Sequence, residues 1–362
     1  MKSDIQIHLY GSLRNMGKKH DESVIQTGLK SEALLVDILK QLKIPFDLVQ
    51  LVMVNHKAVH MDSTIYPGDR IALFPGEYPV FADWKDFRSV RKTNSPVIQY
   101  GAMNFPVRPV LEEIETIAGL GFDYLELTMD PPQAHYSTLR KDKDMILKAL
   151  DRYRLGLICH MPTFVYTADL TESIRKASLS EVINSLETAS ELGATKVVLH
   201  PSYIGGMGIF VMDTAIKYAF ESLSAIVAKA DQLKICLCLE NMFTKYHMCV
   251  EPEDFIEIFK TFPTLRLTLD TGHANIDDSS GQRLFEFIKL FESRLNHIHI
   301  SDNLGERDDH LPIGAGNIDF PKVINALKSC GYKETVTCEI FTEHRKDLEI
   351  SRKKFSDMFK DF

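Results

Sequence analysis

At 362 residues the chain exceeds a typical single domain, and its 44 % hydrophobic and 25 % charged content is that of an ordinary globular protein. A formal net charge of −8 argues against a nucleic-acid partner, which needs a basic face. No apolar run reaches membrane-spanning length and no signal-peptide pattern opens the sequence, so a cytoplasmic protein is expected. The six cysteines form no CxxC and lie mostly in apolar runs, which suits buried free thiols in a reducing compartment.

The first 87 residues read as a small separate α+β domain. IQIHLYG (5–11) and ESVIQTG (22–28) read as strands. SEALLVDILKQLKI (31–44) has helical spacing, with Ser31 as the expected N-cap. LVMVNHKAV (51–59) and DRIALFP (69–75) read as two more strands, the last entered through Pro67-Gly68. A ββαββ order fits a β-grasp module. The stretches HLYGSLR and YPGDRIALFP resemble the ubiquitin-like sulfur carriers, the family of the small molybdopterin synthase subunit and its thiamin relatives. Those carriers end in a free Gly-Gly tail. Here PGEYPVFADW runs on into further chain, so the resemblance implies docking, oligomerisation or regulation rather than sulfur transfer. His8, His20, His56 and His60 have no carboxylates at ligand spacing. The expected division is a ubiquitin-like domain at 1–81, a linker at 82–96 and a barrel at 97–362. The linker region carries Trp84, and Lys85, Arg88, Arg91 and Lys92 form a basic patch there.

From Val97 the chain alternates short apolar strands with amphipathic helices. Strands are expected at 97–103, 124–129, 155–160, 195–200, 234–240, 265–270, 295–301 and 334–341. Eight such units predict a (β/α)8 TIM barrel. A doubly wound sheet is the alternative, but no glycine-rich phosphate fingerprint follows the first strand. A helix over 172–193 ends in a glycine suited to a C′ position.

In such barrels chemistry gathers where strands end. Strand three ends at His160, strand four at His200, strand five at Glu240 and strand six at Asp270, with His273 three residues on. Strand seven carries His297 and His299 on one face, then Asp302, Asp308, Asp309 and His310 in a loop with Gly314 and Gly316. Strand eight carries Glu339. Three acids converging on one rim repel one another and resist burial, and a divalent cation relieves both problems. Mixed imidazole and carboxylate ligands suit Zn²⁺ or Mn²⁺, with Co²⁺ and Fe²⁺ as further fits, better than Ca²⁺ or Mg²⁺.

These residues resemble the xylose isomerase-like barrel superfamily, which holds sugar isomerases and epimerases together with endonuclease IV, in AP endonuclease family 2. Glu240, Asp270, His299 and Glu339 match the quartet that holds one metal in epimerase-type members. HISDN and DDHLPIGAGNIDF resemble the strand-seven signature of sugar phosphate isomerases/epimerases. The resemblance to endonuclease IV implies up to three ions. His160, His200 and Glu240 would hold one, the quartet a second, and His273, Asp308 and His310 a third. After His160 the chain reads MPTFVY and lacks that enzyme's tyrosine three positions on, and the acidic excess lies mostly in the barrel.

The resemblance supports two mechanisms. The first is isomerisation or epimerisation of a small sugar, polyol or sugar phosphate through an enediolate. Glu240 and Glu339 would move the proton as catalytic groups, His200 and His273 would bind hydroxyls, and Arg307 or Arg108 would bind a phosphate. The second is phosphoester hydrolysis with two or three metals and Glu240 as a bridge. A third reading is a metal-stabilised scaffold without chemistry. The loops LTMDPPQAHYS (127–137) and PSYIGGMGIF (201–210) are the expected substrate walls. A homo-oligomer or protein partner is expected through the N-terminal domain.

Overall fold

The computed structural model describes residues 3–16, 23–45, 48–55, 57–61, 63–75, 98–278 and 280–360, and the chain divides into two compact units, 1–95 and 96–362. Trp84, Lys85, Arg88, Arg91 and Lys92 lie outside the described residues, as do His20 and His56.

In the first unit, β1 (Ser3–Leu9), β2 (Val24–Leu29), β4 (Val49–Val54), β5 (Lys57–Val59) and β7 (Arg70–Pro75) form one sheet in the order β2-β1-β7-β4-β5. β1 and β7 run parallel at its centre, and the other pairs are antiparallel. Ile5, Ile7 and Leu9 alternate along β1 and bury against Leu35, Ile38 and Leu39 of α1 (Leu35–Gln41), as a period of two requires of a one-sided sheet. The helix starts later than the sequence suggests. β3 (Ala33–Leu34) pairs with β6 (Thr64–Ile65) first, so Leu34 takes the N-cap position and Ser31 does not. The strand expected over 51–59 is a hairpin, because Asn55 adopts φ 49° and turns β4 into β5.

The second unit is a closed barrel of eight parallel strands. They are β8 (Gln99–Met103), β9 (Tyr124–Thr128), β10 (Gly156–His160), β11 (Lys196–Leu199), β12 (Cys236–Glu240), β13 (Arg266–Asp270), β14 (Leu295–Ile300) and β15 (Thr335–Cys338). The helices of the unit are α2 (Val110–Gly119), α3 (Tyr136–Tyr153), α4 (Glu172–Glu191), α5 (Met212–Leu233), α6 (Asp254–Thr261), α7 (Thr271–Asn275), α8 (Arg283–Leu290), α9 (Phe320–Ser329) and α10 (Lys346–Lys360). One residue set of the strands, such as Leu125, Leu127, Val197 and Leu239, packs with the helices into a single apolar core. The alternating set is polar and equally buried, and includes Glu126, His160, Glu240, Thr268, Asp270, His297, His299 and Thr337. Burial of both faces explains why the strands read as near-continuous apolar runs, with polar residues confined to inward positions. Gly101 is required here. A Cβ on it would stand 2.0 Å from the Tyr124 ring.

Candidate metal centre

Six neighbouring strands bring ionisable side chains to the C-terminal rim, and the fully buried Glu240 carboxylate is their hub. Its Oε2 lies 3.3 Å from His160 Nε2 and 3.3 Å from His200 Nε2. Its Oε1 lies 3.2 Å from His299 Nδ1 and 3.3 Å from His273 Nδ1. Burial works to raise the Glu240 carboxyl, but His299 and His200 outweigh it and hold the group well below the carboxylate range. His299 Nδ1 also faces Glu339 Oε2 at 2.8 Å and Asp270 Oδ2 at 3.9 Å. Asp270 ends β13 and caps α7, its Oδ1 accepting the His273 amide N–H at 2.5 Å. That cap fixes His273 one helical turn from the strand end. Burial pushes Asp270 up to about 7, with Glu339 and Glu240 adding to the effect and His273 opposing it.

A third set lies at the edge. Asp308 Oδ2 stands 3.2 Å from His273 Nε2 and 3.1 Å from His310 Nε2. Burial opposes the charging of both His160 and His310, yet Glu240 raises the first to about 9, and Glu339 with Asp308 raises the second to about 9.

Three of these imidazoles are oriented alike. His160 Nδ1 meets Met161 O at 2.8 Å, His273 Nδ1 meets Asn241 O at 2.9 Å and His310 Nδ1 meets Glu339 O at 3.2 Å. A carbonyl only accepts, so each Nδ1 carries its proton and each Nε2 is turned toward a carboxylate.

The residues fit a divalent ion. Asp270 Oδ2, Glu339 Oε2 and Asp308 Oδ1 are buried oxygens without a hydrogen-bond donor, a costly state that coordination removes. Among the described residues, the sets His160/His200/Glu240 and Glu240/Asp270/His299/Glu339 each bring their ligand atoms within 4.8 Å of one another. Two ligands on one tetrahedral zinc at about 2.0–2.1 Å stand roughly 3.3 Å apart, and the Glu240 contacts with His160, His200 and His299 fall at that separation. All nine residues singled out in the sequence as metal ligands therefore meet at one rim.

Others do not join it. Arg307 has an 81 % exposed side chain that pairs with Asp309 at 3.6 Å, and it does not line the cavity above the cluster. Arg108 does not line it either. Asp302 turns into its loop and accepts the amide N–H groups of Asn303, Gly314 and Ile318. His297 lies one strand layer below the rim, where its Nε2 meets Glu126 Oε2 at 2.8 Å. Glu126 was not singled out. Its signal was an acid inside YLELT, a strand buried on both faces, where a carboxylate persists only with partners.

Above the rim opens a cavity of about 710 Å³. His160, His200, His273, Asp308, His310 and Glu339 form its floor, whereas Glu240 does not reach it. Phe164, Tyr166, Tyr203, Phe243 and Tyr246 form much of its wall, and Lys245 is the one lysine or arginine lining it among the described residues. Of the two loops expected as walls, Thr128, Asp130 and Pro131 come from the first and Tyr203 from the second. No helix of the described residues is long and apolar enough to cross a membrane.

Comparison with known proteins places this barrel among relatives. An uncharacterised protein of Methanocaldococcus jannaschii is 31 % identical over 233 residues, 62 % of this chain and 77 % of that one. A probable endonuclease 4 of Mycobacterium leprae is 28 % identical over 249 residues, 65 % of this chain and 92 % of that one. Among solved structures, a D-tagatose 3-epimerase-like protein aligns with a TM-score of 0.64 at 28 % identity, covering 73 % of this chain and 97 % of that one. The 3-keto-D-glucoside 4-epimerase of E. coli aligns at 0.59 and 19 % identity, covering 72 % and 99 %, which shows a shared fold. Residues 114–358 match the family described as xylose isomerase-like TIM barrel, and the chain belongs to that family.

Proposed function

We propose that the chain is a metal-dependent hydrolase of a small-molecule phosphoester. One observation carries this reading: Glu240 divides its two oxygens between two groups of imidazoles and reaches neither solvent nor the cavity. A base that exchanges a proton with substrate carbon needs an oxygen facing the substrate. A carboxylate shared by adjacent ion sites needs the placement seen here. Ions bound at these sites would activate a water and offset charge on the phosphoryl oxygens. Glu339 directly follows β15 and lines the cavity, where it is placed to accept a proton from an attacking water. Met161 O, Asn241 O and the Glu339 carbonyl keep three imidazoles in the tautomer that presents Nε2. The aromatic wall would hold the organic part of the ester. The acidic chain, and a cavity lined by one lysine and no arginine among the described residues, oppose a duplex DNA substrate.

A second reading is isomerisation or epimerisation of a neutral sugar. Among the described residues no arginine lines the cavity, and this and the likeness to a D-tagatose 3-epimerase-like protein favour it. There Glu339 and Glu240 would exchange the α proton, which requires Glu240 to leave its four imidazoles.

Metal analysis of zinc- or manganese-reconstituted protein, combined with two assays, separates the readings. Two or three ions per chain with turnover of bis(p-nitrophenyl) phosphate or glycerol phosphate supports hydrolysis. One ion per chain, with solvent deuterium entering D-tagatose or D-fructose and no phosphoester cleavage, overturns it.

We also read the N-terminal unit as a β-grasp. Its support is the mixed sheet with a parallel central pair and the helix packed across it. A docking or oligomerisation role fits a chain that continues past the place of the Gly-Gly tail.

A further inference from the structure

The middle of this barrel is not filled as barrels usually are. Branched apolar side chains normally pack the interior layers. Here buried Lys196, His297 and Glu126, linked through the half-buried Thr335, form a hydrogen-bonded line along the inside of the barrel to His299 at the rim. Lys196 Nζ lies 2.7 Å from Thr335 Oγ1 and 2.5 Å from Asn296 O. Thr335 Oγ1 lies 2.6 Å from His297 Nδ1, and His297 Nε2 lies 2.8 Å from Glu126 Oε2. Glu126 Oε1 lies 2.9 Å from His299 Nε2. Thr337 Oγ1 donates to the same Glu126 carboxylate.

Donor chemistry gives the line a direction. The Lys196 ammonium only donates, so Thr335 accepts from it. The Thr335 hydroxyl can donate to Asn296 O at 3.4 Å or to the nearer His297 Nδ1 at 2.6 Å, and the Glu126 carboxylate, which only accepts, selects the second by requiring the His297 proton on Nε2. His297 is then protonated at Nε2, which donates to Glu126. A carboxylate only accepts, so His299 must donate its Nε2–H to the other oxygen. The Nδ1 lone pair of His299 is left for the cluster of Glu240, Asp270 and Glu339. His160, His273 and His310 are the opposite case, with Nδ1–H on a main-chain carbonyl.

We propose that Glu126 is the positioning residue of the metal centre: it keeps the proton of His299 on Nε2 so that Nδ1 faces the ion, and the line from Lys196 fixes Glu126 as an acceptor. This rests on the metal-centre part of the reading above, not on which reaction the centre performs.

The test uses full-length protein, zinc and readouts other than turnover. Glu126→Gln keeps the size but puts an NH2 donor against one of three donors. Zinc affinity is measured by competition with a chromophoric chelator, and the His299 ring protons by nitrogen-correlated NMR of the zinc-loaded protein. The expected result is a folded variant, by circular dichroism, with zinc affinity about 10–100-fold weaker and the His299 Nε2–H signal lost. Glu126→Asp should recover part of that affinity. Thr335→Val leaves Glu126 in place and cuts the line, and should weaken zinc by a smaller factor while displacing the His297 Nε2–H signal. The proposal is overturned if Glu126→Gln binds zinc within twofold of the parent with the Nε2–H signal intact. Should Glu126→Gln not fold, Thr335→Val decides: unchanged affinity and an unchanged His297 signal overturn it. A parent protein that binds zinc through His299 yet turns over no phosphoester refutes the proposed function alone.

Discussion

Asp308 Oδ2 stands 3.2 Å from His273 Nε2 across the barrel mouth, joining the loop after β14 to the short helix after β13. The same oxygen meets His310, so one carboxylate gathers the outer imidazole pair. Asp308→Asn removes the charge and puts a donor beside one of them. The expected outcome is one fewer ion per chain by elemental analysis, with phosphoester turnover reduced by at least the 10–100-fold typical of disturbing a supporting group. An unchanged metal count with full activity would remove the outer site from the centre.

The Gly-X-Gly turn of the same loop is a matter of space. A Cβ at Gly316 would lie 2.2 Å from Asn303 O and 2.3 Å from Asp302 Oδ1. Backbone cannot yield as a side-chain tip can. Gly316→Ala should therefore cost about 1–3 kcal/mol, read as a lower Tm in thermal unfolding. Asp302 holds the Gly314 and Ile318 amides, so its displacement should also disturb Asp308 and His310 and weaken metal binding. A Tm equal to that of the parent would show that the loop relaxes freely.

Much of this arrangement was legible. All eight barrel strands lie where the apolar runs place them, because both faces are buried and a charged residue in such a run stands out. The nine rim residues were legible for the same reason: each lies at or just past the C-terminal end of a strand. Depth was not. His297 and His299 share one face by alternation, but sequence alone does not say which layer meets the rim. Glu126 and Lys196 were passed over because a single acid or base in a strand is informative only once its partner, far away in sequence, is known. Asp302 went the other way. It carries the right chemistry at the right strand end, and it spends both oxygens on backbone amides.

Arg307 offers a test of substrate charge. Its guanidinium is exposed and turned to Asp309, so Arg307→Ala should leave KM and kcat within about twofold, as expected of a surface change. A tenfold rise in KM for a phosphorylated substrate, with kcat unchanged, would place it in the binding site after all.

Acidity provides the last test, and the sign can be worked out. Folding raises His160 and His310 to about 9 and Asp270 to about 7, in each case with burial weighed against or alongside the neighbouring carboxylates. The histidines stabilise the metal-free fold fully below their usual value, and that contribution is lost as pH rises toward 9. Asp270 is favoured neutral, so its ionisation through about 7 also costs the metal-free fold stability. The carboxylates held low, Glu240 among them, act only in acid and do not enter this window. Metal binding requires these ligands deprotonated, so apparent affinity rises over the same range. The Tm of chelator-treated protein should fall from pH 7 to pH 9, and the gap to zinc-loaded protein should widen. Thermal scans of both forms at pH 6, 7.5 and 9 measure it. A gap that stays constant would mean that protons and metal do not compete for His160, Asp270 and His310.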